Sequence, residues 1–292
     1  MSGWDFPEGF EPLDDHVGPF PLEPFVDSWR STVGRGDPVS IRSDKAFLPM
    51  IEDEGALRVA GHPDLTDYHS ALGPDPASLG DLLLQARTEV DRVILDSLPE
   101  QSATSLKSGL EAAGAKPQLE QTVTTAVITV EDEYLAELSK KQRHEVRRKR
   151  RRFVEALGEP ELITSTDDTD ALARFVAMHR TSFGEKAEFF DEGRIAFFES
   201  LHASPGWKVS ELVVGGEPIA SLFGFEGESA YYLYNSAYDS IHREVSPGVV
   251  VLHMLIENLV DAGIKRIDLL KGDEIYKFRM GAEARPLHRI SI

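Results

Sequence analysis

Residues 229–289 read SAYYLYNSAYDSIHREVSPGVVVLHMLIENLVDAGIKRIDLLKGDEIYKFRMGAEARPLHR, and the rest of the chain is organised around them. The pattern predicts an apolar strand over SAYYLYNSAYD, a loop through His242 and Arg243 to Gly248, and a helix over VVVLHMLIENLVDAG. A strand KRIDLL, a short segment GDEIYKFRMG and a last strand follow. The helix start is well marked. Ser246 carries a hydroxyl suited to capping, Pro247 fits the first helical position, and Gly248 lets a ligand approach the free backbone N–H groups. Those N–H groups and the helix dipole make an anion site, with Arg243 just ahead of it and Val249 just inside it. A phosphate is the expected guest. Gly263 stops the helix as a C-terminal cap residue would.

Outward from this stretch, the chain of 292 residues is long enough for one large domain or two ordinary ones. It has no cysteine, which excludes thiol catalysis, disulfides and thiolate metal sites. No run of residues reaches the roughly 20 apolar positions a membrane span needs, and the acidic, Pro-rich start has no signal-peptide core. A cytoplasmic protein is the expectation. The formal charge of −19 argues against DNA and general nucleic-acid binding. One segment breaks that rule: between Lys140 and Arg152 nine Lys or Arg residues stand against the single Glu145, a local +8 that leaves −27 on the remainder. Such asymmetry points to an anionic ligand or a neighbouring acidic surface.

Residues 1–22 read as an irregular arm. From Pro38, strand patterns (PVSIRS, AFLPMI, ALRVAG, VDRVILDSL, QTVTTAVITV) alternate with helical ones (ASLGDLLLQAR, SATSLKSGLEAAG), which describes a first α/β domain over 23–135. A single long helix is expected from about Asp132 to Leu157, with Leu135, Leu138, Val146, Phe153 and Leu157 on one thin face. Arg143, Arg147 and Arg151 fall near its cationic stripes. They are either a solvated face paired with acidic surface or a clamp for phosphate, sulfate or RNA, since Arg binds such groups bidentately. The second domain, 136–292, is led by this basic helix. It continues with a strand, two helices, three strands and the stretch quoted first, an α/β (α+β) mixed sheet.

Asp268 lies inside an apolar strand, where an unpaired carboxylate is costly, so it has either a structural partner such as Lys271 or Lys277, or a task. Tyr238 closes the preceding strand, within reach of an acceptor. His179, His253 and His288 show no metal spacing, so no metal is expected, and no G-x-S-x-G elbow supports a hydrolase.

The order of elements from Glu161 to Ile292 resembles a GNAT acyltransferase domain, whose phosphate loop Q/R-x-x-G-x-G/A corresponds to Arg243-Glu244-Val245-Ser246-Pro247-Gly248. Here Ser246 replaces the first glycine and Pro247 removes one N–H donor. The combination YD…SPG…AG…IDLLKGDEIYKFRMG behind LSKKQRHEVRRKRRR looks like the CelD-like acetyltransferases and the related Fem-type aminoacyl transferases. That resemblance implies two GNAT-like domains in tandem, the first degenerate. It also implies acetyl-CoA or another acyl-CoA as co-substrate, and a small-molecule or cell-envelope-type acceptor held between the domains. By the same resemblance Tyr276 is the acid for the leaving thiolate and Lys277 contacts a phosphate or oxyanion. The alternatives it leaves open are transfer from aminoacyl-tRNA and a non-catalytic binding module with a degenerate phosphate loop. The oligomeric state stays open.

Overall fold

The structure, a computed structural model, describes residues 3–166, 168–182 and 187–292. The chain divides into two compact units, Met1–Thr124 with Pro286–Ile292, and Thr125–Arg285. The first contains α1 (Glu23–Thr32), β1 (Asp37–Arg42), β2 (Phe47–Asp53), β3 (Ala56–Val59), α2 (Gly80–Ala86), β4 (Arg92–Leu98) and α3 (Glu100–Ala112). The chain leaves it within β5 (Gln118–Thr129). The second contains α4 (Tyr134–Glu137), α5 (Lys140–Leu157), β6 (Glu161–Ser165), α6 (Thr169–Arg180), α7 (Glu192–His202), β7 (Trp207–Val214) and β8 (Glu217–Glu226). It continues with β9 (Ala230–Tyr238), α8 (Pro247–Asp261), β10 (Arg266–Lys271) and α9 (Ile275–Arg279), and the chain returns to the first unit within β11 (Glu283–Ser291).

Both units repeat one ladder. In the first, β1, β2 and β3 are antiparallel, β3 and β4 are parallel across a crossover that holds α2, and β11 closes antiparallel to β4. In the second, β6 to β9 are antiparallel, β9 and β10 are parallel across α8, and β5 closes antiparallel to β10. The closing strands are exchanged. β5 follows β4 and α3 in sequence but pairs with β10, and β11 follows β10 and α9 but pairs with β4. A single cut near residue 135 therefore does not describe the units, because each takes its last strand from the other half of the sequence.

In the second unit α8 is apolar nearly all round and buried accordingly. Val250, Val251, Leu252, Leu255, Ile256 and Leu259 join Leu222, Tyr231, Leu233 and Ile267 of the sheet and Val146 and Phe153 of α5 in one core. Val249 and Val260 are only partly buried against it. The opposite sheet face carries Trp207, Phe223 and Tyr234: Trp207 stacks on Phe223 and meets Tyr234 edge-to-face, and Phe198 of α7 packs at a tilt against Phe223 and Tyr234; Phe223 also meets Phe175 of α6. In the first unit the expected arm, residues 1–22, is irregular but packed. The Trp4 indole N–H donates to the carbonyls of Val39 and Met50, both at 3.1 Å, and Val17 and Phe20 are buried.

The single long helix expected from 132 to 157 is two. Leu138 and Ser139 break it, because Ser139 caps α5 through the Gln142 amide while the Gln142 side chain accepts from Ser139 N, a reciprocal capping box. Tyr134 of α4 is anchored by its hydroxyl, which donates to the Met280 carbonyl at 2.9 Å.

Candidate functional site

The site is built on a divergence of two parallel strands. β9 and β10 pair at Arg266 with Ala230, Ile267 with Tyr231 and Asp268 with Tyr232, and there the pairing stops. Among the described residues, β9 runs on to Tyr238 paired with β8 alone. β10 runs on to Lys271 against β5, with a register shift between Asp268 and Lys271. The backbone edge of β9 from Leu233 onward thus has donors and acceptors that no strand of β10 takes. Asp268, wholly buried, stands at the apex of the opening, and its Oδ1 accepts from the Leu270 N–H at 2.8 Å.

The wide end of the opening is the start of α8. Ser246 has left-handed backbone angles, φ 57° and ψ 51°, and its hydroxyl makes no cap hydrogen bond, in contrast to the expected capping role. Its carbonyl does that work instead, accepting from Val249 N at 3.0 Å and Val250 N at 3.2 Å. Pro247 has no N–H, so the first-turn donor left over among the described residues is the Gly248 amide. A side chain at Gly248 would meet only the Tyr238 ring, at 3.5 Å, so Tyr238 forms one wall of this cradle. Arg243 lies in the preceding turn with its Nε 3.3 Å from Glu244 Oε1. Ser246 holds the conformation that glycine adopts most readily, so the loop keeps its turn with serine in the glycine position.

α9 delivers Tyr276 and Lys277. Tyr276 is partly exposed, and burial of its hydroxyl, then the charge of Glu274, push its pKa up to about 12, which keeps it a proton donor at neutral pH. Lys277 is 3% exposed, and its ammonium donates to the carbonyls of Lys271 at 2.6 Å and Leu270 at 3.3 Å and sits 3.0 Å from Glu274 Oε2. With its three protons so directed, Lys277 offers none to a phosphate.

α5 packs on α8 and on the turn Ser240–Val245 before it. The arginines picked from its stripes separate. Arg143 donates to the carbonyls of Leu135 and Ala136, tying down the end of α4, and so is structural. Arg151 lies 3.7 Å from Glu155 of its own helix. Arg147 is exposed, as are Lys140, Lys141 and Arg152, and these four cations face solvent on one broad side of the helix. Arg150 reaches Glu257 of α8 at 3.7 Å, and Glu257 also lies 3.0 Å from the buried His253. His253 is a packing residue between α5, α8 and Tyr134. Sequence patterns gave no signal for the strand divergence or for Leu270, whose role depends on non-local pairing. Among the described residues, the one group close enough to share a metal ion is Asp14, Asp15 and His16 in the first unit, apart from the residues of this site.

The family model for the acetyltransferase (GNAT) domain matches residues 140–278, which span α5, the strand divergence and most of α9. Over these residues the chain has a GNAT acyltransferase-type fold. The mixed sheet and its α8 crossover are that fold. Three solved structures share the fold over nearly the whole chain. FemX is 11% identical with a TM-score of 0.64, covering 97% of this chain and 93% of its own. L-PGS from Bacillus licheniformis is 12% identical with a TM-score of 0.60, with the same 97% and 93% coverage. A Bacteroides thetaiotaomicron protein of unknown function is 14% identical with a TM-score of 0.65, covering 97% and 98%. No curated protein matches the chain. Among the described residues no helix is long and apolar enough to cross a membrane.

Proposed function

We propose that this GNAT domain moves an acyl group from acyl-CoA to an amine or hydroxyl acceptor. The observation that carries this reading is the end of β9–β10 pairing at Tyr232 and Asp268, with the α8 N-terminus at the wide end of the gap. An extended, phosphate-bearing donor fits such a gap. The Gly248 amide and the dipole of α8 take its phosphates, and the open β9 edge takes its amide-rich arm. Acyl-CoA supplies the activated thioester. Backbone N–H groups of the β9 edge polarise its carbonyl, and the Tyr276 hydroxyl, protonated at neutral pH, is the acid for the departing sulfur. Use of acyl-CoA fits a cytoplasmic protein, and no metal is assigned to the chemistry. The exposed cations Lys140, Lys141, Arg147 and Arg152 favour an acceptor that carries phosphate, a small molecule or a cell-envelope precursor.

Donation from aminoacyl-tRNA is the alternative, favoured by the shared fold with FemX and by the same cations. A thermal-shift panel with acetyl-CoA, longer acyl-CoAs, CoA and deacylated tRNA separates the two. A ligand at 100 times its Kd stabilises by about 2.7 kcal/mol. A shift with acyl-CoA and none with tRNA supports the proposal, and the reverse replaces the donor. No shift with either points to a binding module without catalysis.

A further inference from the structure

Leu270 is gripped on both sides of its Cα by buried charged groups. Its N–H donates to Asp268 Oδ1 at 2.8 Å, and its C=O accepts from Lys277 Nζ at 3.3 Å. Asp268 is 0% and Lys277 3% exposed. Between them Leu270 has φ 59°, a left-handed conformation that a branched side chain rarely adopts. Lys277 holds the next carbonyl too, that of Lys271 at 2.6 Å, and Glu274 fixes the ammonium from the other side at 3.0 Å. Gly272, φ 118°, leaves room for that carboxylate, since a Cβ there would overlap it. The kink falls where β10 shifts register against β5 and where its pairing with β9 has ended.

We infer that Asp268 and Lys277 form a clamp that holds Leu270 in the left-handed state and so keeps β10 turned away from β9. They are positioning residues: neither group faces the acyl donor, and together they fix the opening and the turn that delivers Tyr276. This role rests on the reading of the opening as the acyl-donor site, but the clamp itself is a statement about backbone geometry and is tested separately. An extended Leu270 is free of strain and would let β10 continue alongside β9. Both charged groups act on one residue, through the peptides on either side of its Cα, so losing either should release it.

The test compares Lys277→Met, Leu270→Gly and the double variant by amide hydrogen exchange at Leu233–Asn235 and Leu269–Lys271, together with acetyl-CoA affinity. In Lys277→Met, exchange at these amides should slow as the strands pair, and affinity should fall at least tenfold. Glycine adopts the left-handed conformation without strain. The double variant should therefore recover the wild-type exchange pattern and an affinity within a few-fold of wild type. An unfolded Lys277→Met alongside a folded double variant supports the clamp equally. Unchanged exchange in a folded Lys277→Met overturns it, as does failure of Leu270→Gly to restore the pattern or the fold. If wild-type protein binds no acetyl-CoA, the donor assignment fails, and the exchange data still decide the clamp.

Discussion

Replacing Gly248 by Asp sets stability and binding against each other. Gly248 has ordinary helical backbone and a would-be Cβ that touches only the Tyr238 ring at 3.5 Å, so a side chain fits. A carboxylate in the first turn interacts favourably with the positive end of α8, about 0.3–1 kcal/mol. Removing a helical glycine adds a few tenths more. The two together should raise the melting temperature by roughly 1–5 °C. For an anion seated at the same N–H groups the sign reverses. A carboxylate about 5 Å from one phosphate charge costs ~1–3 kcal/mol at an effective dielectric constant between surface and bulk values. That is about a 5- to 150-fold loss of affinity, smaller at high salt. Calorimetric titration with acetyl-CoA at two salt concentrations, alongside thermal unfolding, reads both effects. A variant that is more stable and binds as well as wild type would refute the placement of phosphate at the α8 N-terminus.

Ser246→Gly should stabilise the protein by about 0.5–1 kcal/mol, the relief of a left-handed non-glycine residue less the entropy glycine adds to the unfolded chain, and should keep ligand affinity; a fall in melting temperature would contradict the conformation assigned to the loop. Arg174 forks onto the buried Glu211, Nε to Oε1 at 3.0 Å and Nη2 to Oε2 at 2.6 Å, and Asp168 lies 3.2 Å from the same Nη2. Arg174→Met should destabilise by about 2–4 kcal/mol, the lower range allowing for the half-exposed arginine, and adding Glu211→Leu should recover most of the loss in a melting experiment. Burial pushes the Glu257 carboxyl up, but His253 and Arg150 outweigh it and hold it below the usual carboxylate range. Because the folded pKa is the lower one, Glu257 stabilises fully above the unfolded value of about 4.3 and loses that contribution as pH falls through the folded value. Melting temperatures measured from pH 6 down to 3 should therefore fall less steeply for Glu257→Gln than for wild type.

Much of the second unit was legible in the sequence. The unbroken apolar run after Gly248 makes α8 a buried helix, and the strands before and after it follow from their composition. The two-unit organisation was legible as alternation of strands and helices. The exchanged closing strands were not, because QTVTTAVITV and EARPLHRIS show that they are strands without showing which partner they choose, and pairing over such distances leaves no local trace. The break before α5 was written in Ser139-Lys140-Lys141-Gln142, but the leucines at 135 and 138 continue the helical spacing across it and mask the cap. The packing of the first residues was missed, because the Pro-rich, acidic composition reads as an arm while Trp4 and Phe20 bury against partners distant in sequence. At the site, the turn at Ser246 and the position of Tyr276 could be placed from the motif. Arg143 and Lys277 could not, because both act on backbone carbonyls that only the folded chain brings to them.

Where an acyl-CoA lies in the second unit decides the donor site most directly. A crystal structure of the protein with acetyl-CoA should show the pyrophosphate at the Gly248 amide, the pantetheine arm along the β9 edge from Leu233 to Tyr238, and the thioester sulfur within reach of the Tyr276 hydroxyl. Density for the ligand elsewhere, or β9 and β10 paired through Leu270 with the gap closed, would contradict it.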